Sequence, residues 1–229
     1  MKNYDWIVVG GGITGAALSY ELVQQGFSVL LLEQDPTWQN ATYYSYGGLA
    51  FWSGTTDTMR QLCAEGIARH RILSEELAAD TQFRELDLLL TIAVDDDPAA
   101  VAATYANFAI PPQLISVAEA CELEPLLNPQ AIAAALTVKH GHINAEKTAQ
   151  AYIQAFLRAG GEMQFTQVSE LWQQGDKVEG VKTNNETYYS ANTVICAGGF
   201  SRALLKAAGI PVKIYFTHAE FIDSPPVDI

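Results

Sequence analysis

The chain is short of basic residues, of cysteine and of uninterrupted apolar runs, and each shortage removes a class of function. Lysine and arginine number 13 against 26 aspartates and glutamates in 229 residues, a formal charge of −13. Phosphate backbones are held by basic patches, and none stands here, so nucleic acid is excluded as a partner. The acidic surplus itself is read as solubility. Cysteine occurs three times, at Cys63, Cys121 and Cys196. The number is odd and the spacings are long, so neither a disulfide framework nor a metal site follows. Buried thiols in a reducing, cytoplasmic setting are the expectation. His70, His140 and His142 likewise lack convergent acids at metal-ligand spacing. The largely apolar stretch from Ile7 to Leu22 is preceded by Asp5, broken by glycines and closed by Glu21 without a small-residue cleavage site, which argues against a signal peptide. No other segment approaches the roughly 18 to 20 uncharged apolar residues of a membrane span.

What is present is a chain with 49% apolar residues, enough for one large domain or two small ones. Trp6-Ile7-Val8-Val9 reads as a buried parallel strand ending at Gly10. Leu18, Leu22 and Val23 recur at helical spacing, and Gly26 is placed to end that helix. A second strand, Ser28 to Leu32, runs into Glu33. Between first strand and helix stands GGGITG, in which Gly10, Gly12 and Gly15 fit the pattern G-x-G-x-x-G. The first glycine permits the tight turn, the second lets backbone approach a pyrophosphate, and the third lets helix pack on strand. The helix N-terminus then offers free N–H groups and partial positive charge to the phosphates. Glu33 stands where a carboxylate accepts ribose hydroxyls, and it would repel a 2′-phosphate. The unit therefore predicts an adenine dinucleotide, and by itself leaves NAD and FAD both open.

After Glu33 the alternation of strand and helix stops. A loop rich in Thr, Ser, Tyr and Gly, residues 34–54, precedes an amphipathic helix with Met59, Leu62, Cys63, Ile67, Leu73 and Leu77 on its apolar side. Residues 83–94 read as extended, 99–108 as a helix, and Ser116 with Glu119 as a capping box. The run AIAAALTVKHGHI reads as a strand and turn. Residues 80–143 thus have the composition of a separate α+β insertion. Asn144 is placed to cap a helix closed by Gly160 and Gly161. Three closely spaced strands, MQFTQVSELWQ, KVEGVKT and ETYYSA, predict a meander. A last strand, Thr193 to Cys196, runs into Ala197-Gly198-Gly199, and Ser201 is placed to cap a final helix.

GGGITG with Glu33, the meander, the returning strand TVICAGG, CELEPLL before GHINAEK, and GIPVKI after the AGG helix together resemble the FAD-dependent D-amino-acid oxidase superfamily. The resemblance runs through essentially the whole chain and is nearest the glycine oxidase, sarcosine oxidase and D-amino-acid dehydrogenase branch. It implies an α/β fold: a Rossmann-like FAD-binding domain of glutathione-reductase type with a three-stranded meander, interrupted by part of an antiparallel-sheet substrate domain. Residues 1–79 and 144–212 would form the first domain, 80–143 part of the second, and 213–229 the start of a return to it.

The resemblance also implies site roles. Gly10, Gly12, Ile13, Thr14 and Gly15 would line the pyrophosphate of FAD, and Glu33 with Gln34 the adenosine ribose. Thr42, Ser45, Gly47 and Gly48 match the loop beside pyrophosphate and flavin, Val168 the position whose backbone meets adenine, and Ala197, Gly198 and Gly199 the small-residue stretch beside the cofactor. Cys196 reads as a small buried hydrophobe. The implied chemistry is oxidation of a small amine or amino acid by hydride transfer to flavin. A flavin dehydrogenase for a 2-hydroxy acid or glycerol phosphate, and a non-catalytic FAD-binding fragment or subunit, stay open as alternatives.

Two departures stand out. The family continues well beyond the position matching Ile229, so the chain reads as truncated, with a missing C-terminal segment or a second chain completing the fold. In the strand after Pro211, family members carry a proline, a basic residue and a small-Gln pair, where this chain has Phe216, Thr217, His218, Ala219 and Glu220. His218 is the one substrate-side candidate, against the plainer reading of a half-exposed strand histidine. Arg60, Arg69, Arg71 and Arg202 read as solvated helix charges.

Overall fold

Strand β1 (Asn3–Val9) is the axis of the first of two compact units. Ile7, Val8 and Val9 are buried, as an interior strand of a parallel sheet demands. The computed structural model describes residues 3–215. On one side β1 pairs in parallel with β2 (Val29–Glu33), all five of whose residues are buried. On the other it pairs in parallel with β10 (Thr187–Ile195) over nearly its full length, Asn3 opposite Tyr189 and Val9 opposite Ile195. Helix α1 (Ile13–Gln24) makes the crossover from β1 to β2 and ends in a turn where Gly26 has φ +86°.

Beyond β2 lies β7 (Glu162–Phe165), again parallel. Beyond β10 come β9 (Lys177–Thr183) and β8 (Val168–Gln174), both antiparallel. The six strands stand in the order β7-β2-β1-β10-β9-β8. One apolar cluster crosses the sheet from Leu30 and Leu32 through Ile7 and Val9 to Val181 and Leu171, and helix α6 (Ser201–Ala207) adds Leu204 and Leu205 to it. Helix α5 (Ala145–Arg158) packs beside α1, where Tyr20 and Tyr152 meet at 5.7 Å. The Tyr4 hydroxyl donates to Glu162 at 3.0 Å, and burial, then that contact, pushes its pKa up to about 12.

Three expectations change here. The first meander strand is two strands: residues 162–165 continue the parallel sheet, and the antiparallel run begins only at Val168. Conversely, ETYYSA and TVIC are one strand, β10, which is antiparallel to β9 at its start and parallel to β1 thereafter. Nothing in Ala191-Asn192 forces a turn, so one strand serves both neighbours. Ser201 does not cap α6 with its side chain. A 3₁₀ turn, Gly198–Phe200, leads into the helix with Phe200 already in helical geometry, whereas a capping residue must be extended.

The second unit spans Gly47–Asn144. Its core strand is β6 (Ile132–His142), flanked by β3 (Gly48–Leu49) and β4 (Arg84–Ala93), with β5 (Gln113–Ile115) also pairing with β6. All pairings are antiparallel. Helix α3 (Pro98–Thr104), shorter than expected, packs Val101 and Ala102 on Ile92, Ala134 and Leu136. Helix α4 (Val117–Leu123) buries Ala120 against Ile115, Ile132 and Ala135. Its N-terminus carries the Ser116–Glu119 capping box in both directions.

The long helix α2 (Asp57–Glu76) belongs to this unit, so residues 47–79, which the sequence reading counts with the nucleotide-binding portion, cluster with the insertion. Ile67 lies against Gly141 of β6, and the Ser74 hydroxyl meets that of Thr81 at 2.8 Å. Ile67, Leu73 and Leu77 are buried as expected, but Met59 and Leu62 of the same predicted face are 49% and 58% exposed. That stripe covers apolar surface only along the helix's second half.

Two substitutions test the packing. Phe156 of α5 is fully buried, and its ring occupies the space a side chain on Gly161 would need. Phe156→Ala is expected to lower unfolding free energy by about 3 to 5 kcal/mol in urea titrations. Gly66 lies within α2 with open space around it, so Gly66→Ala is expected to raise stability by about 0.5 to 1 kcal/mol.

Candidate functional site

Strands β1, β2 and β10 end side by side, with Val9 opposite both Leu32 and Ile195. A cavity of about 800 Å³ opens beyond their carboxyl ends. It lies at the point where the chain, having gone from β1 to β2, returns on β1's other side as β10, the place where open parallel sheets leave a crevice. Two backbone bonds lock the strand ends together: Gly10 N–H donates to Leu32 O at 2.8 Å, and Cys196 N–H donates to Val9 O at 2.7 Å.

The turn leaving β1 needs its glycines for steric reasons. Gly10 has φ +105°, and a Cβ there would sit 2.4 Å from the Cys196 carbonyl oxygen. A Cβ on Gly15 would lie 1.9 Å from the Gly10 carbonyl oxygen, so α1 can start this close to β1 only with glycine there. Gly12 occupies the N-cap position and has no side chain to satisfy the first N–H groups, and the first turn of α1 carries no acid. The positive end of the helix therefore lies beside the cavity, uncompensated by an acidic first-turn side chain. One of its N–H groups, on Ile13, donates to the Thr42 hydroxyl at 2.9 Å.

Glu33 ends β2 with only 6% of its surface exposed. Its carboxylate accepts from the N–H of Gly11 at 2.6 Å and from the N–H of Asp35 at 2.9 Å, which ties the glycine turn to the loop after β2. Asp35 orders that loop in turn, accepting from the Thr37 hydroxyl and from the N–H groups of Thr37 and Gln39. The Thr37 bonds hold its carboxyl below the usual range. Further on, Asn40 accepts from the N–H of Thr42 and of Tyr43, an Asx turn that presents the Thr42 hydroxyl. On the far side the Thr166 N–H donates to Glu33 O at 2.7 Å, setting Val168 at the cavity wall.

Of the sequence-predicted residues, Gly10, Gly12, Glu33, Gln34, Thr42, Val168, Ala197, Gly198 and Gly199 line this one cavity. Ile13 touches it through Thr42, Gly15 packs behind the turn, and Thr14 is exposed at the start of α1. Ser45 donates its N–H to the Thr42 carbonyl. Gly47 and Gly48 belong to the second unit, where Gly47 accepts from the Ile143 N–H and Gly48 pairs with His142. His218 lies outside the described residues. Sequence reading missed Asn40, whose signal was the Asn two residues before a Thr, and also Tyr44 and Phe200 of the lining. It placed Cys196 in the core alone, whereas that residue also lines the cavity, with burial pushing its thiol pKa up. Arg69 and Arg71 make exposed ion pairs with Glu76 and Glu85, and Arg60 donates to Asn107.

The sequence matches the family described as FAD dependent oxidoreductase over residues 5–228. It is 26% identical over 232 residues to a glycine oxidase of Geobacillus kaustophilus, covering 96% of this chain and 61% of that protein. It is 25% identical over 227 residues to a 4-methylaminobutanoate oxidase (formaldehyde-forming) of Paenarthrobacter nicotinovorans, covering 97% of this chain and 28% of that one. The chain therefore spans less than two thirds of the length of either relative. Its fold is similar to that of the L-proline dehydrogenase from P. horikoshii, with a TM-score of 0.81 at 22% identity over 93% of this chain and 58% of the other.

The turn geometry separates two glycines. A Cβ at Gly15 meets a backbone carbonyl that cannot yield, whereas one at Gly12 meets only the Thr42 hydroxyl at 3.1 Å. Gly15→Ala is expected to cost about 1 to 3 kcal/mol of stability in urea titrations, and Gly12→Ala clearly less.

Proposed function

The chain belongs to the FAD dependent oxidoreductase family, and from that premise we propose that its first unit binds FAD in the cavity at the ends of β1, β2 and β10. The carrying observation is a single cradle that joins a side-chain-free turn, a helix N-terminus and a buried carboxylate at three parallel strand ends. Its volume of about 800 Å³ suits a cofactor-sized ligand. A Cβ at Gly12 would intrude on the space beside Thr42, where phosphate oxygens would come.

In this reading Gly10, Gly12, Ile13 and Thr14 hold the pyrophosphate, with Gly15 fixing the turn, and Thr42 and Ser45 stand beside it. Glu33 and Gln34 hold the ribose, and the backbone at Val168 meets adenine. Ala197, Gly198 and Gly199 give the flavin side room. Bound flavin supplies the two-electron acceptor. The complete enzyme oxidises the CH–NH bond of a small amine or amino acid: the C–H leaves as hydride and the nitrogen loses a proton, giving an imine that water hydrolyses. The names of the two relatives, both oxidases of amino compounds, support that substrate class. The protein's part is to orient the C–H bond and exclude water. A downstream segment or a second chain supplies the rest of the substrate side, and His218 is the candidate this chain itself offers there. Cysteines 63, 121 and 196 are free thiols, in keeping with a reducing, cytoplasmic location; among the described residues no helix is long and apolar enough to cross a membrane.

The purified chain, mixed with excess FAD and desalted, is expected to retain a visible flavin spectrum. Glu33→Ala is expected to weaken FAD binding about 10- to 100-fold, the worth of hydrogen bonds to a charged acceptor. A folded chain that retains no flavin overturns the binding site as drawn. Substrate class is read on the completed enzyme by anaerobic bleaching of the flavin band. Bleaching by small amines is expected, and bleaching by hydroxy acids or glycerol 3-phosphate alone overturns the amine reading.

A further inference from the structure

In the second unit the segment from Gly47 to Thr56 has only two strand residues, and the rest is turn and irregular backbone, with Phe51 N–H donating to Leu49 O and Ser53 N–H to Ala50 O. Its one large buried side chain is Trp52, 6% exposed. The indole stacks on Phe108 with ring centres 5.6 Å apart and an interplanar angle of 28°, and Tyr105 lies at 6.3 Å. The Trp52 carbonyl accepts from the Ile110 N–H at 3.1 Å. The indole nitrogen donates to Nδ1 of His140 on β6 at 3.2 Å. We propose that Trp52 and His140 form a proton-operated latch, which fixes the Gly47–Thr56 segment to this sheet at neutral pH and releases it in mild acid.

The argument rests on what each ring can offer. An indole N–H only donates, so the nitrogen it meets must carry no proton. His140 is then a neutral imidazole with its proton on Nε2. Adding a second proton sets N–H against N–H at the indole's hydrogen bond and leaves both donors unpaired. His140 is 4% exposed. His142, two residues along β6 and on the same face, adds repulsion, and Arg84 stands opposite His142 on β4. Glu85 and Asp87 of β4 are engaged with Arg71 and Lys139. Arg60 of α2 is held by Asn107 and Asp57, and α3 presents no charged side chain, only the Tyr105 hydroxyl following it.

Burial, then the charge of His142, lowers the His140 pKa. A lowered folded-state value means the unfolded chain binds the proton more readily. The stabilisation is therefore complete above the ordinary histidine value of about 6.5 and is lost as pH falls through the lower folded value. His70 is a second histidine depressed by burial, stacked on Phe83. Overall stability against pH thus cannot isolate the latch, and the reporter has to be Trp52 itself.

The test is the Trp52 indole N–H resonance, assigned by its absence in Trp52→Phe and followed on the intact chain from about pH 8 to pH 4.5, with far-UV circular dichroism recorded alongside. One step is expected, with its midpoint below the ordinary histidine value and ahead of any loss of helix signal. His140→Gln is expected to abolish the step, and His142→Gln to keep it and move the midpoint upward. A step that survives His140→Gln, no step while the chain stays folded, or a step that coincides with global unfolding overturns the latch. Should His140→Gln fail to fold, the nitrogen-15 shifts of His140 in the unaltered chain decide. Nδ1 free of its proton at neutral pH is expected, and Nδ1 protonated there overturns the proposal.

Discussion

A methyl group on residue 15 would have to sit 1.9 Å from the carbonyl oxygen of Gly10, and a methyl group on Gly10 would sit 2.4 Å from the carbonyl oxygen of Cys196. These two close approaches decide where α1 begins relative to the sheet. Backbone carbonyls in paired strands cannot retreat, so the crossover passes this near the strand ends only without side chains. Once it does, the Gly11 N–H falls within reach of one carboxylate, Glu33, whose two oxygens tie the turn to the loop behind β2. The cavity is the volume left over when that tie is made.

How much of this was legible in the sequence depended on the range of the forces involved. The turn was legible because glycine spacing states a local steric need, and Glu33 because an acid ending the second strand is the expected partner of such a turn. The capping box at Ser116 was legible for the same reason: donor and acceptor lie three residues apart. Strand boundaries within 162–195 were not, because they depend on which neighbour each strand finds. Residues 162–165 are held by β2, some 130 positions earlier, and Thr187–Ile195 stays extended because β9 and β1 each take part of it. The spacing of Met59 and Leu62 is helical, but helicity does not say how far along a helix its partner extends.

The second unit shows what the sheet edges ask of the sequence. β4 stands at the end of the strand order β3-β6-β4. Arg84, Glu85 and Asp87 put charge on its first half, a common guard against unwanted pairing, whereas its second half, Leu88 to Ile92, is mostly apolar. The first unit guards its edges otherwise: β7 is only four residues long, and β8 carries the Lys182–Glu170 pair with β9 and is irregular in register. The two units thus differ in how self-sufficient their sheets are.

Gly47 and Ile143, near the two ends of the second unit, are hydrogen-bonded to each other, and Gly48 pairs with His142 beside them. The polypeptide consequently enters and leaves this unit through a single clasp. A module clasped in this way can be lengthened, shortened or exchanged during evolution without shifting the register of β1, β2 and β10, because its closure is made within itself. The two units are then free to change at different speeds.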